Sequence, residues 1–176
     1  MSRLKHMLTT LGPCRLRHRV LPPVVSHRLV LSEACVVGLR ECLAPETRQR
    51  HEGIAYLYGL TDGTTTLVVG AARPQARTSP GSFEVSSVAV ARVLRAIDLA
   101  GLQLVGQAHS HPEDAYHSAG DEAGARMAYQ GFVSIVLPHY GIGLPSLAGC
   151  AAYFFHEHHF VELDREAVTT VPERLP

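Results

Sequence analysis

Gln103-Leu104-Val105-Gly106-Gln107-Ala108-His109-Ser110-His111-Pro112-Glu113-Asp114-Ala115-Tyr116-His117-Ser118-Ala119-Gly120-Asp121 is the stretch on which the fold turns. Residues 103–108 read as an extended segment, and on a strand His109 and His111 project from one face, where both imidazoles can reach a single ion. Pro112 has no amide donor and ends the strand. The turn residues after it swing the chain round until Ser118-x-x-Asp121 opens a helix, and Asp121 completes the donor set from there. Two His and one carboxylate leave a tetrahedral zinc with its fourth position open to water, the arrangement of catalytic rather than structural sites. A zinc hydrolase, with its site where a strand hands over to a helix, is the expectation.

An HxH pair alone is a weak signal, because a chain with eleven histidines supplies roughly one such pair by chance. A second pair does occur in His156-Glu157-His158-His159, with no Ser or Asp following at helix-start spacing; it reads either as a solvated strand end or as a metal or partner contact. A hydrolase also needs a group that takes a proton from water. Glu52 is the best candidate, standing where Arg48-Gln49-Arg50-His51 gives way to the apolar run Gly53-Ile54-Ala55-Tyr56-Leu57-Tyr58-Gly59, so that its carboxylate borders a buried strand. Taken alone, it is equally readable as a strand-entry Glu in solvent.

Glu52 before an apolar strand ending in Gly59, then His109-Ser110-His111-Pro112, then Ser118-Ala119-Gly120-Asp121, resemble the JAMM metalloproteases of the MPN (Mov34) superfamily. The resemblance spans roughly residues 29–163. It implies zinc bound by His109, His111 and Asp121, Glu52 as general acid/base, and Ser118 stabilising the tetrahedral intermediate. His117, beside Ser118, either lines the substrate groove or is simply exposed. The loop from His111 to Ser118 is one residue shorter than in the eukaryotic deubiquitinating members. In this it is similar to bacterial JAMM proteins encoded beside a ubiquitin-like protein, an E1-like and an E2-like enzyme in antiphage defence operons. The implied activity is a zinc-dependent isopeptidase or peptidase cleaving after the C-terminus of a ubiquitin-like protein, in deconjugation or precursor maturation. Its partners would be that protein or its conjugates and the E1-like and E2-like operon products. Two alternatives stand: a JAMM hydrolase that processes a sulfur-carrier protein or a small amide, and a noncatalytic MPN scaffold. Scaffolds of that kind usually lack part of the ligand set, which is complete here.

On either side of the metal stretch the chain alternates strands and helices without internal repeats. Arg28 to Leu31 reads as a short strand, and Ser32 caps a helix through about Leu43, with Pro45 beyond its end. Ile54–Leu60 and Thr65–Ala71 read as antiparallel strands joined at Asp62-Gly63. Arg73 to Gly81 reads as a surface loop, which either faces substrate or is merely solvated. Ser86 or Ser87 caps a core-packing helix with Val90, Val93, Leu94 and Ile97 on one face. A helix over Asp121–Tyr129 and strands at Phe132–Leu137, Ala151–Phe155 and Phe160–Leu163 follow. The fold class is α/β: a mixed, partly antiparallel sheet flanked by helices, as in the MPN (JAB) fold. Residues 1–28 read as a basic N-terminal extension, 29–165 as the metalloprotease domain, and 166–176 as a C-terminal tail.

The 176 residues suit one domain able to bury about two-thirds of its unfolded surface, so bulk stability needs no metal. Formal net charge is zero, which leaves no nucleic-acid footprint. Arg3, Lys5, Arg15, Arg17, Arg19 and Arg28 nevertheless concentrate in residues 1–28, without an acid; this is a solvated extension or a docking arm for a partner. No stretch is long and apolar enough for a secretory signal or a membrane span, so a cytoplasmic location is expected. Cys14, Cys35, Cys42 and Cys150 form no C-x-x-C pair and read as small core residues rather than nucleophiles.

Overall fold

The computed structural model describes residues 26–118, 120–121 and 127–172. Strand β1 (Arg28–Ser32) leads into helix α1 (Glu33–Gln49), whose start is fixed by the Ser32 side chain accepting from the Cys35 amide at 3.0 Å, an N-cap. The helix turns Cys35, Val36, Leu39, Leu43 and Glu46 inward, the spacing of one helical face. It runs through Pro45 rather than stopping before it, and this corrects the expected end near Leu43. Proline removes one helical bond, whose acceptor belongs to the exposed Glu41, where water can substitute. The last turn is held from outside: the Arg73 guanidinium pairs with the buried Glu46 carboxylate, and Thr47 Oγ1 donates to the Tyr140 carbonyl at 2.7 Å.

Strands β2 (Ile54–Thr61) and β3 (Thr65–Ala72) form the expected hairpin. Its turn is closed by Asp62 Oδ1, which accepts from the Thr64 and Thr65 amides, with Gly63 at a positive φ of 88°. Residues 73–81 are not simply a loop. β4 (Ala76–Ser79) pairs with β5 (Ser82–Val85) in a separate two-stranded hairpin, whose alternation is too short to read against its Pro and Ser content. Helix α2 (Ser87–Leu99) is capped by the Ser86 side chain. It buries only Ala89 and Ile97, while Val90 and Leu94 roof an apolar hollow of about 640 Å³ shared with Ile54, Tyr56, Phe83 and Phe132. It therefore covers a cavity instead of filling the core as expected.

After α2 come β6 (Gln103–Ser110), β7 (Val133–Leu137), a short 3₁₀ turn at His139–Gly141, the β8 (Ala151–His156) and β9 (His159–Glu162) hairpin, and β10 (Val168–Val171). Eight strands make one mixed sheet in the order β10-β1-β3-β2-β6-β7-β8-β9. The pairs β1–β10, β1–β3 and β6–β7 are parallel and the rest antiparallel. One face, with Leu29, Leu31, Leu57, Val68, Val105, Val133, Ile135 and Leu137, packs with Leu39 and Leu43 of α1. Burying each such side chain stabilises by about 1.5–3 kcal/mol before entropy is counted. The other face carries a smaller cluster of Phe132, Val136, Tyr153 and Phe160.

Residues 166–176, expected as a tail, include β10, which lies beside β1 from Leu29↔Val168 to Ser32↔Val171. The alternating Val168-Thr169-Thr170-Val171 has too little apolar content to be recognised until β1 offers it an edge. At the other end, His27 is 2% exposed, bonded to Thr66 Oγ1 at 3.0 Å and stacked on Phe154 at 5.0 Å, so the packed unit begins before residue 29. The basic residues up to Arg19 and Cys14 lie outside the described residues, as do 122–126 of the helix expected over Asp121–Tyr129. Cys35, Cys42 and Cys150 pack in or against the core, and burial pushes the Cys35 thiol up to about 12 and that of Cys150 to about 11, values of inert thiols. Among the described residues no helix is long and apolar enough to cross a membrane.

Candidate metal centre

Three connections bring the site together, and each follows from strand register. β6 and β7 are parallel, pairing His109 with Val136 and Ser110 with Leu137, so both strands end at the same edge. The loop leaving β6 is stapled to the exit of β7: the His111 amide donates to Leu137 O at 2.9 Å, Tyr140 N to His111 O at 2.7 Å, and His139 N to Glu113 O at 3.0 Å. β2 is antiparallel to β6 with Ile54 opposite His109, so the residues just before Ile54 come alongside the end of the metal strand. That register carries Glu52 across 57 residues of sequence to the site.

His109 is fully buried and His111 is 6% exposed. His109 Nε2 lies 3.3 Å from Asp121 Oδ1, and His111 Nε2 lies 3.4 Å from Asp121 Oδ2. One donor atom from each of the three residues falls within 4.8 Å of the others. Apart from the Asp121 carboxylate at 3.3 Å, His109 has no side-chain polar partner among the described residues, so its Nε2 is directed at the carboxylate and at any ion held beside it. Two imidazoles and one carboxylate are a donor set that divalent transition metals, zinc among them, take. These three residues fit a divalent transition metal such as zinc.

Asp121 is braced for this. Its Oδ2 accepts from the Ser118 amide and from Ser118 Oγ, both at 2.7 Å, while the Asp121 amide donates back to Ser118 Oγ at 3.2 Å. Burial opposes ionisation, but the bonds and charge of His109 and the bonds from Ser118 outweigh it and hold the Asp121 carboxyl well below the usual range. Burial, reinforced by the charge of His109, lowers the His111 imidazole despite the opposing pull of Asp121, so it is neutral and able to coordinate at physiological pH. Ser118 has a single hydroxyl proton and here gives it to Asp121. Its observed work is to orient a ligand, and a role toward an oxyanion requires that hydroxyl to rotate.

Two of the donors, His111 and Asp121, line a cleft of about 490 Å³, with Glu52, Phe83, Gln107, Tyr116 and Ser118 on its walls, while His109 lies buried beneath. Burial raises the Glu52 carboxyl above its ordinary value; the charge of His109 opposes this and that of Asp121 adds to it. A carboxylate beside a metal cleft with a raised value holds a proton more readily than an exposed glutamate does. The Glu52 amide donates to Ser79 O at 2.8 Å, which fastens the β4–β5 hairpin to the site. Phe83 of that hairpin packs 5.7 Å from the His109 ring.

His117 is placed differently from expectation. Its ring packs on Phe160 at 4.3 Å and Tyr153 at 5.1 Å, behind His109, and its amide donates to the Tyr153 hydroxyl. Tyr116 takes the cleft wall instead, 56% exposed and edge-on to His111 at 5.1 Å. In a loop, neighbouring residues can face opposite ways, and no periodicity distinguishes them. Tyr116 was not legible as a site residue for that reason, and Phe83 and Gln107, on β5 and β6, reach the cleft only through strand placement. The second histidine run sits at the β8–β9 turn, with His156 opposite His159 and Gln130 Nε2 2.6 Å from His156 Nδ1. It contributes to no group of three metal donors among the described residues.

Comparison with known proteins agrees with this geometry. The family model "Prokaryotic homologs of the JAB domain" matches residues 40–151. The chain is 30% identical over 129 residues to "Probable metalloprotease y4jG" of Sinorhizobium fredii (strain NBRC 101917 / NGR234), covering 71% of this chain and 80% of that protein. The solution structure of protein DSY2949 from Desulfitobacterium hafniense superposes with a TM-score of 0.63 at 19% identity, over 82% of this chain and 94% of that one. It shows the same fold.

Proposed function

Because this chain belongs to the prokaryotic JAB family of JAMM/MPN metalloproteases, we propose that it is a zinc-dependent isopeptidase or peptidase cleaving after the C-terminus of a ubiquitin-like protein. The observation that carries the reading is the convergence of His109, His111 and Asp121 beside a cleft that His111, Asp121 and Glu52 line. A bound zinc supplies Lewis-acid polarisation of the scissile carbonyl and makes its water acidic at neutral pH. Glu52 takes the proton of the attacking water on its carboxylate and returns it to the departing amine, which its raised value favours. Asp121, locked by Ser118, and the buried His109 keep the donors from reorganising during the reaction.

The wall made by β5 supports a polypeptide substrate. Ser82 and Phe83 line the cleft, and an extended C-terminal tail can lie along such a strand. The intact donor set together with Glu52 weighs against a noncatalytic scaffold. The substrate partner would be the ubiquitin-like protein or its conjugates, with E1-like and E2-like proteins as functional neighbours in a bacterial antiphage system.

Purified wild type, Glu52→Gln and His111→Ala should be tested on a ubiquitin-like protein fused after its terminal Gly-Gly, with metal measured in parallel. Cleavage by wild type alone, with zinc retained in Glu52→Gln and lost in His111→Ala, is the expected result. Cleavage by metal-free wild type refutes the mechanism. A gene neighbourhood lacking a ubiquitin-like protein and its E1-like and E2-like enzymes turns the substrate toward a sulfur-carrier protein or a small amide.

A further inference from the structure

We propose that Ser110, the residue between the two candidate zinc ligands, is the positioning residue for Glu52, an inference that rests on the peptidase reading of the same site. Ser110 is fully buried at the end of β6. On a strand its side chain leaves from the face opposite His109 and His111, so it is not aimed with theirs. Its Oγ accepts from the Gly53 amide at 2.9 Å, and its own amide donates to Gly53 O at 3.0 Å. Both backbone polar groups of the residue after Glu52 are thus held by this one serine.

The other side of Glu52 is held as well. Its amide donates to Ser79 O at 2.8 Å, and the preceding His51 amide donates to Glu46 O at 3.0 Å at the end of α1. Gly53 itself sits hard against α1, where an added Cβ would lie 2.8 Å from Leu43 Cδ2 and 3.1 Å from Glu46 Cβ. The backbone carrying Glu52 is therefore clamped between β4, α1 and β6. An alanine at 110 fills nearly the same volume but orphans the buried Gly53 N–H, which is unfavourable and relaxed most easily by the peptide bearing Glu52. Packing alone would not require a hydroxyl here.

Ser110→Ala and Ser110→Thr, each in wild type and in Glu52→Gln, test this through turnover of a ubiquitin-like Gly-Gly fusion, zinc content, and amide exchange at Gly53. For Ser110→Ala the expectation is unchanged zinc, KM within about twofold and kcat lower by about 10–100-fold, the range a misplaced reacting group produces. Gly53 exchange should quicken while Ala55 and Leu57 stay protected. Ser110→Thr should restore kcat to within about threefold. In Glu52→Gln the alanine should add little, since a residue acting through Glu52 has nothing left to position. Unchanged Gly53 exchange, unchanged kcat, zinc lost in step with activity, or full additivity with Glu52→Gln each overturns the assignment. Exchange and zinc content need no turnover, so failure of the peptidase reading (no cleavage by a zinc-loaded wild type) is distinguishable from failure of the clamp.

Discussion

Stripping the metal from His109, His111 and Asp121 is expected to lower the melting temperature by about 5–15 °C. The donors already lie within 4.8 Å of one another, so binding does not have to organise them, and the unfolded chain offers no comparable site. A ligand that binds only the folded state stabilises by about 2.7 kcal/mol at a hundredfold excess over Kd and about 4.1 kcal/mol at a thousandfold. For a chain of 176 residues, each kcal/mol moves the midpoint by about 2–4 °C. Thermal unfolding followed by circular dichroism, with excess chelator, with zinc, and with magnesium as control, measures the shift. His109→Ala and Asp121→Ala should abolish it. A zinc-induced shift below about 2 °C in wild type, or an equal shift in His109→Ala, would refute the site.

Glu52→Gln should lower kcat by about 10²–10⁴-fold, the usual contribution of a general acid/base, with zinc content unchanged. Because burial raises the Glu52 carboxyl, the acid limb of kcat/KM should fall above the ordinary value of 4.5 and disappear in the Gln variant. The same shift makes the folded state bind the proton more tightly than the unfolded one, so Glu52 removes stability as pH rises through its raised value; Glu52→Gln should melt higher than wild type at pH 7 in chelator. Asp121 has the opposite sign. Its stabilising contribution is present above the unfolded value of 3.8 and is lost as pH falls toward its depressed folded value, so metal-free Asp121→Asn should show a flatter acid-unfolding profile. Gly106→Ala places a Cβ 2.4 Å from Val133 Cγ2 and 2.5 Å from Val133 O. It should destabilise by about 1–3 kcal/mol as other overpacked sites do, with reduced zinc affinity because the metal strand must part from β7; a denaturant midpoint equal to wild type would contradict the pairing.

The donor set was legible because it is local: His109, His111, Ser118 and Asp121 fall within thirteen residues, and strand period and helix-start chemistry alone say how they face. Glu52 was legible as a strand-entry carboxylate, but its arrival depends on Ile54 standing opposite His109, a register no local pattern states. The hairpin 76–85, the strand at 168–171 and the continuation of α1 past Pro45 were missed for one reason. Each is a weak local former held by a distant partner: Val85 across from Ala76, β1 beside β10, Arg73 and Tyr140 on the last turn of α1.

The sequence by itself determined which residues are candidates for the chemistry, because metal ligation, proton transfer and strand termination belong to residue types and short spacings. It determined the mixed α/β class for the same reason, through periodicities of two and 3.6. Only the tertiary structure decided which groups surround that chemistry. It turned His117 onto Phe160 and Tyr153 and set Tyr116 on the cleft wall. It hung Glu52 between Ser79 and the Gly53–Ser110 pair. Those outcomes depend on which buried polar groups find partners across the sheet, and that is settled only when all the strands have taken their register.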